Sequence, residues 1–207
     1  MRDYSQHGET WLIDSIVHIL ERAGSTVVPR IAVEFGAGDG YHLSNIRGLM
    51  EEGWKGVQWD KEPKGMAVAF RNITTENVNR ELMFRYRADS EIGVLSIDID
   101  GNDYWIWKAL VEYHPYIVVI EFNPTLDGCW TIPYDPEHVW VGDNYFGASF
   151  GAMVKLGHSK GYKAVAKTPC NLIFVREDLW LGPEAPIPHK PDTAGWKITD
   201  KKFQEVL

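Results

Sequence analysis

The sequence predicts an α/β domain: a mostly parallel sheet of seven strands with helices on both faces. Three observations predict it. Short apolar runs alternate with segments whose apolar residues recur at helical spacing. The first of those runs ends in a turn with glycines at alternate positions, Val33-Glu34-Phe35-Gly36-Ala37-Gly38-Asp39-Gly40. The second, Gly56-Val57-Gln58-Trp59-Asp60, closes on an acid twenty residues beyond Gly40.

The elements follow in order. Leu12, Ile16, Ile19 and Ala23 share one face of a first helix, and Gly24 is placed to end it. Ile31 to Glu34 is strand one, and Tyr41 to Glu52 is a helix with Leu43, Ile46 and Met50 on one face before Gly53. Strand two is Gly56 to Asp60, followed by a helix over Lys64 to Asn72 and a third strand around Leu82 to Arg87. Gly93 to Asp98 reads as a buried strand, Tyr104 to Tyr113 as a helix stopped by Pro115, and Tyr116 to Glu121 as another buried strand. Gly147 to Lys160 is a helix ending at Gly161, and strands at Tyr162 to Val165 and Asn171 to Val175 complete the sheet. Residues 1–180 thus form one domain with an insertion over 124–146. Pro183, Pro186, Pro188 and Pro191 make 181–207 an extended arm, closing in a terminal helical turn.

A chain of 207 residues with 44% hydrophobic content can bury one full core. A formal charge of −8 gives no general attraction to nucleic acid or to an anionic membrane surface, and Arg71, Arg80, Arg85 and Arg87 read as a solvated face. Two cysteines, Cys129 and Cys170, are too few for a disulfide scaffold, and no apolar stretch reaches membrane-spanning length. The expectation is a soluble, cytoplasmic protein whose partner is a small molecule; the oligomeric state is not indicated.

Glycines at 36, 38 and 40 permit positive φ and remove side chains that would hold a ligand off the backbone. A helix beginning at Tyr41 would then aim free N–H groups at that ligand. Glu34 would repel a pyrophosphate but suits a cofactor carrying positive charge. The dinucleotide fingerprint requires G-x-G-x-x-G; here Tyr41 stands where its third glycine would fall. Asp60 is placed to accept from both ribose hydroxyls. With Glu34 before it, the turn resembles motif I of the class I S-adenosylmethionine-dependent methyltransferases, which have a Rossmann-like fold. That resemblance implies cofactor binding by Glu34, Gly36, Ala37, Gly38, Gly40 and Asp60, and adenine recognition by an acid near Asp89; a turn role suits Asp89 equally.

In such sheets ligands bind beyond the carboxyl ends of the strands. Strand four runs out through Asp98-Ile99-Asp100-Gly101-Asn102-Asp103 and strand five through Glu121-Phe122-Asn123-Pro124. Adjacent strands lie about 5 Å apart, so Asp100, Glu121 and Asn123 can converge. Their oxygen-only donor set suits Mg²⁺, Ca²⁺ or Mn²⁺ rather than zinc, with direct hydrogen bonding to substrate as the alternative. Asp98 can face the cofactor instead, and Asp103 reads as a helix cap.

Ser-Ile-Asp-Ile-Asp-Gly-Asn-Asp-Tyr-Trp at 96–105 with Val-Ile-Glu-Phe-Asn-Pro at 119–124 resembles the FkbM-like branch of methyltransferases, over roughly residues 30–176. Asp100 stands where that branch usually has glutamate. The resemblance implies O-methylation of a sugar or secondary metabolite. Catechol O-methyltransferase is similar in holding Mg²⁺ at these strand ends, although its Asp-Asn pair is here split by Phe122. The insertion carries Trp130, Tyr134, His138, Trp140 and Tyr145. Trp130 and Trp140 are candidates for acceptor binding, and His138, then His42, for general base. The reading is methyl transfer from S-adenosylmethionine to a small-molecule hydroxyl, with Asp100, Glu121, Asn123 and His138 catalytic and Mg²⁺ or Mn²⁺ as candidate metals. Asn123-Pro124 distantly resembles the motif of amino-methyltransferases, which keeps N-methylation as an alternative. A non-catalytic cofactor-binding module is the third.

Overall fold

The computed structural model describes residues 1–24, 26–87, 90–182 and 187–206. In chain order they form α1 (Glu9–Gly24), β1 (Ile31–Phe35), α2 (Arg47–Glu51), β2 (Lys55–Asp60), β3 (Ala69–Phe70), α3 (Val78–Arg85), β4 (Val94–Ile97) and α4 (Asp103–Ala109). These are followed by β5 (Ile117–Glu121), β6 (Trp130–Thr131), α5 (Phe150–Ser159), β7 (Tyr162–Lys167), β8 (Asn171–Arg176) and β9 (Gln204–Glu205). Seven strands make one sheet in the order β3-β2-β1-β4-β5-β8-β7, in which β8 alone runs against the rest. The sheet is the α/β architecture the sequence predicts.

The pleat sorts the apolar residues into two cores. Val33, Phe35, Leu95, Ile97, Val118 and Ile120 face α3, α4 and α5, where Leu82, Trp107 and Leu156 meet them. Ala32, Val94, Ile117 and Val119 face the other way, onto Ile13, Val17 and Leu20 of α1 and Leu49 of α2. Both faces are therefore covered, which is why the central strands β1, β4 and β5 are mostly apolar, with Glu34 in β1 and Ser96 in β4 buried among them. Strand order reverses at β1, so the carboxyl ends of β1 and β4 diverge there and leave a cleft.

Four elements depart from expectation. The segment after the glycine turn is helical only over Arg47–Glu51. Before it, carboxylates hold the backbone in turns: Asp39 accepts from the Tyr41 and His42 N–H groups and Glu34 from that of Asn45. Residues 64–72 form no helix. Ala69 and Phe70 extend the sheet as edge strand β3, beside β2. Leu82 to Arg87 belongs to no strand; Val78 and Leu82, four residues apart, bury one face of α3 while Met83 and Phe84 stay exposed. The count of seven strands holds because β3 takes the place of the misread one. The terminal segment ends in β9, paired antiparallel with β6, and not in a helical turn. Pro183 and Pro186 lie outside the described residues.

Residues 187–206 return across the carboxyl-end face and are fastened to the insertion. Asp192 N donates to Pro124 O at 2.9 Å, Asn144 N to Lys197 O at 2.9 Å, and Val206 N to Cys129 O at 2.9 Å. His189 stacks on Phe150, centroids 4.8 Å apart, and meets Phe122 edge-on. Burial depresses the His189 pKa and Lys167 adds to that, against opposing effects of the Leu126 carbonyl and Asp127. The docked arm thus binds fewer protons than a released one. Its docking is fully supported above the ordinary histidine range, near pH 6.5, and weakens as pH falls through it. Limited proteolysis of the arm should accelerate below about pH 6.5, and His189→Gln should flatten that dependence. Cleavage that ignores pH in wild type would exclude the histidine.

No helix among the described residues is long and apolar enough to cross a membrane. Both cysteines are free thiols.

Candidate functional site

The three glycines of the turn do three different jobs. Gly36 (φ 82°) lies against the end of β4: an added methyl would come within 2.6 Å of the Asp98 carbonyl carbon and closer to its oxygen. Gly38 (φ 55°) has nothing within 4 Å of where a side chain would start, so its backbone faces the open cleft. Gly40 (φ 82°) is buried against Gln58 and Val68, each 2.9 Å from an added methyl, and therefore serves packing and not the ligand. Ala37 lines the cleft beside Gly38.

Glu34, also on the cleft wall, is 3% exposed. Its carboxylate accepts from Ser44 Oγ (2.7 Å), Asn45 N (2.7 Å) and Gln58 Nε2 (2.9 Å). Burial raises its pKa, and those hydrogen bonds oppose the rise. The side chain is thus committed to shaping the turn. The expectation that its charge faces the cofactor is corrected, because three internal donors already occupy it.

Asp60 stands where the turn meets β2. Its Oδ2 accepts from Gly38 N at 2.7 Å and its Oδ1 from Glu62 N at 2.6 Å. It divides the cleft into two halves that also share Gly36, Asp98 and Asp100. One half, about 650 Å³, has Trp59, Asn72, Ile73, Ile99 and His138 in its lining. The other, about 1210 Å³, takes in Ala37, Gly38, His42, Glu121, Trp140, Phe146 and Trp196.

Asp98, Asp100 and Glu121 converge between the halves, with one oxygen from each within 4.8 Å of the others. Burial holds Asp98 and Glu121 well above the usual carboxylate range, with repulsion adding to it, from Asp103 and then Asp100 on Asp98 and from Asp98 and then Asp103 on Glu121; burial raises Asp100 too, with Lys61 opposing. Glu121 Oε2 is shielded from water and has no hydrogen-bond partner. Asp100 adopts φ 58°, a left-handed conformation uncommon outside glycine and held here by its surroundings. Asp103 supplies that hold: fully buried, it accepts from Ile99 N (2.9 Å) and Gly101 N (3.0 Å), and burial pushes it up to about 6. It braces the acidic loop; the cap position of α4 is Asn102. Asn102 in turn clasps the Asp135 backbone, donating at 2.7 Å and accepting at 3.3 Å, which fastens the loop bearing His138. The His138 ring lies over Gly101, Nε2 has no partner, and burial lowers its pKa, so the imidazole is neutral at pH 7.

Two expected residues are not brought to this point. Asn123 is fully buried, donating to the Asn144 and Phe146 carbonyls (2.8 Å each) and accepting from Thr125 N and Oγ1. With every polar atom spent closing the insertion, it is no ligand; Asp98 takes its place in the cluster. Trp130 faces a separate hollow with Leu126 and Phe203. Asp89 lies outside the described residues. Sequence reading missed Asn72, Ile73 and Ile99, and also Trp196. No motif marks Asn72 or Ile73, but Ile99 sits inside the Asp98–Asp100 pair and its place followed from the same pleat.

No protein-family model matches the chain. No curated protein matches it either. Among solved structures it is similar to the citrinin polyketide synthase CMeT domain, at 13% identity and a TM-score of 0.38. That alignment covers 80% of this chain and about half (52%) of the other.

Proposed function

We propose that the chain is an S-adenosylmethionine-dependent methyltransferase that methylates a small-molecule hydroxyl. The observation that carries this reading is the joining of the Gly38–Asp60 hydrogen bond and the Asp98–Asp100–Glu121 cluster in one cleft at the strand switch point. Asp60 retains lone pairs for ribose hydroxyls, and Ile73 and Ile99 offer apolar surface to a base. The carboxylates favour a sulfonium and oppose a pyrophosphate. The helix N-terminus that a pyrophosphate requires is also missing, since α2 starts at Arg47.

Methyl transfer is an in-line displacement, so alignment is the chain's main contribution. Asp100 and Glu121 would orient the acceptor hydroxyl, and His138, which lines the smaller half of the cleft with Asp100 and whose pKa burial lowers, is the candidate to take its proton where the two halves meet. Three oxygen donors fit Mg²⁺ or Mn²⁺. Such an ion, when bound, would lower the pKa of a coordinated hydroxyl. Transfer to an amine is the second reading, because the same carboxylates would attract a protonated amine.

Calorimetry should show binding of S-adenosylhomocysteine and none of NAD. Asp60→Ala should weaken the former by about 1.5–3 kcal/mol, the worth of a hydrogen bond to a charged group. Asp60→Asn, which keeps one acceptor for Gly38 N, should lose less. Binding without methyl transfer to any small molecule would identify a non-catalytic module, and a preference for NAD would end the reading.

A further inference from the structure

We propose that the C-terminal arm is part of the acceptor site, and that its Trp196 makes the chain select an acceptor built on a six-membered ring with one apolar face. The inference deepens the methyltransferase reading and rests on it for the word acceptor. Trp196 lines the larger half of the cleft together with Glu121, Asp98, Asp100 and Pro124. It does not stand alone there. Its ring lies 5.3 Å from that of Phe146 at 25° and 6.2 Å from that of Trp140 at 47°, and Trp140 and Phe146 are 5.5 Å apart. These spacings are those of rings packed on one another, so the three form a continuous wall, not a cage around a point.

The wall is held in place. Trp140 Nε1 donates to Asp143 O at 2.6 Å, so the indole's polar edge is already satisfied and its face is what remains to offer. Trp196 is fastened on both sides: Asp192 N to Pro124 O before it, and after it Asn144 N to Lys197 O and Thr199 N to Asn144 Oδ1 (2.8 Å). Trp140 keeps 38% of its surface exposed, a large apolar area to leave uncovered at the rim of a cleft.

The cleft is therefore two-sided. The carboxylates of Asp98, Asp100 and Glu121 contribute hydrogen-bond acceptors and the aromatic wall contributes apolar faces. A molecule that satisfies both has hydroxyls at one edge and a flat or C–H-rich face. An aryl ring and a pyranose ring share that chemistry, and an acyclic alcohol lacks it.

Ligand-observed NMR saturation transfer on the full chain, saturated with S-adenosylhomocysteine, tests this with three probes: benzyl alcohol, methyl α-D-glucopyranoside and 1-propanol. At least one ring probe should receive saturation through its ring protons, and which one does identifies aryl or sugar. The propanol should receive none. Trp196→Ala should weaken the binding ring probe about five-fold, within the range measured for aromatic contacts, and Trp196→Phe should restore most of it. Thermal melting of both variants reports whether the arm still docks, so a loss rescued by Phe is a loss of the ring face and not of the fold. Equal response from propanol, no response from either ring, or Trp196→Ala binding like wild type would each overturn the proposal. Failure of S-adenosylhomocysteine to bind in the same samples, with the ring effects intact, would instead overturn the cofactor reading and leave the wall standing.

Discussion

Gly36→Ala is expected to abolish cofactor binding and to destabilise the fold by more than about 4 kcal/mol, the range reserved for a specific structural conflict. Two costs combine. At φ 82° an L-residue carries a penalty of roughly 1–2 kcal/mol. The new methyl would also overlap the Asp98 carbonyl, and that is backbone at the end of a central strand, not the tip of a side chain that can swing away. Relief requires β1 and β4 to separate where Asp98 N donates to Phe35 O at 3.1 Å. The neighbouring glycine provides the contrast. Gly38→Ala meets no atom, so its stability cost should be only the roughly 1–2 kcal/mol of a left-handed residue. Its methyl nevertheless projects into the cleft and should weaken S-adenosylhomocysteine binding. Denaturant unfolding and calorimetry on both variants separate the two effects. A Gly36→Ala protein with wild-type stability would show that the close approach of β1 to β4 is not required.

That contrast also shows what the sequence could and could not carry. Alternating glycines after an apolar strand predicted a cleft-lining turn, because positive φ and missing side chains are local properties. Which glycine faces the ligand is not local. Gly40 looks like its neighbours in sequence and is buried only because Gln58 and Val68 arrive from β2 and the segment after it. Glu34 carries the same lesson, since two of its three donors, Ser44 and Asn45, come from a segment expected to be helix and the third, Gln58, arrives from β2. The strands β4 and β5 were legible because full burial leaves a nearly continuous apolar run, interrupted in β4 only by Ser96. Leu82-Met83-Phe84 imitates such a run, yet only Leu82 is buried. The acidic site was legible as strand ends, but the choice of Asp98 over Asn123 was not. It depends on where the insertion closes, and Asn123 closes it by bonding carbonyls more than twenty residues away. Trp196 was out of reach for the same reason: nothing in an extended arm says which surface it will cover.

The remaining large effect concerns the acidic cluster itself. Asp98 and Glu121 are held well above the usual carboxylate range by burial and then by repulsion from neighbouring carboxylates, Asp103 and Asp100 acting on both, so the folded chain binds more protons than the unfolded one as pH rises past about 4.5. Stability supplied by those protons is complete below the ordinary carboxylate range and is lost as pH climbs through the raised values. A divalent cation bound there would replace the protons with a charge that three oxygens can share. Mg²⁺ or Mn²⁺ should therefore raise the melting temperature more at pH 8 than at pH 6, and at a hundred times its dissociation constant it should contribute about 2.7 kcal/mol. Glu121→Gln removes one charge from the cluster. It should flatten the loss of stability with pH and reduce the response to the cation, both readable by calorimetry without any turnover. For catalysis, Glu121→Ala should lower turnover by about 10²-fold or more, the scale of one electrostatic contact at a reacting oxygen. Cofactor affinity should change far less. Chelation should reproduce that loss and added Mn²⁺ should reverse it. If neither cation shifts the melting curve at any pH, the cluster is no metal site. Should Glu121→Ala still abolish transfer in that case, the carboxylate acts on the acceptor itself, as hydrogen-bond acceptor or as base, and its raised pKa is what suits it to that work near neutrality.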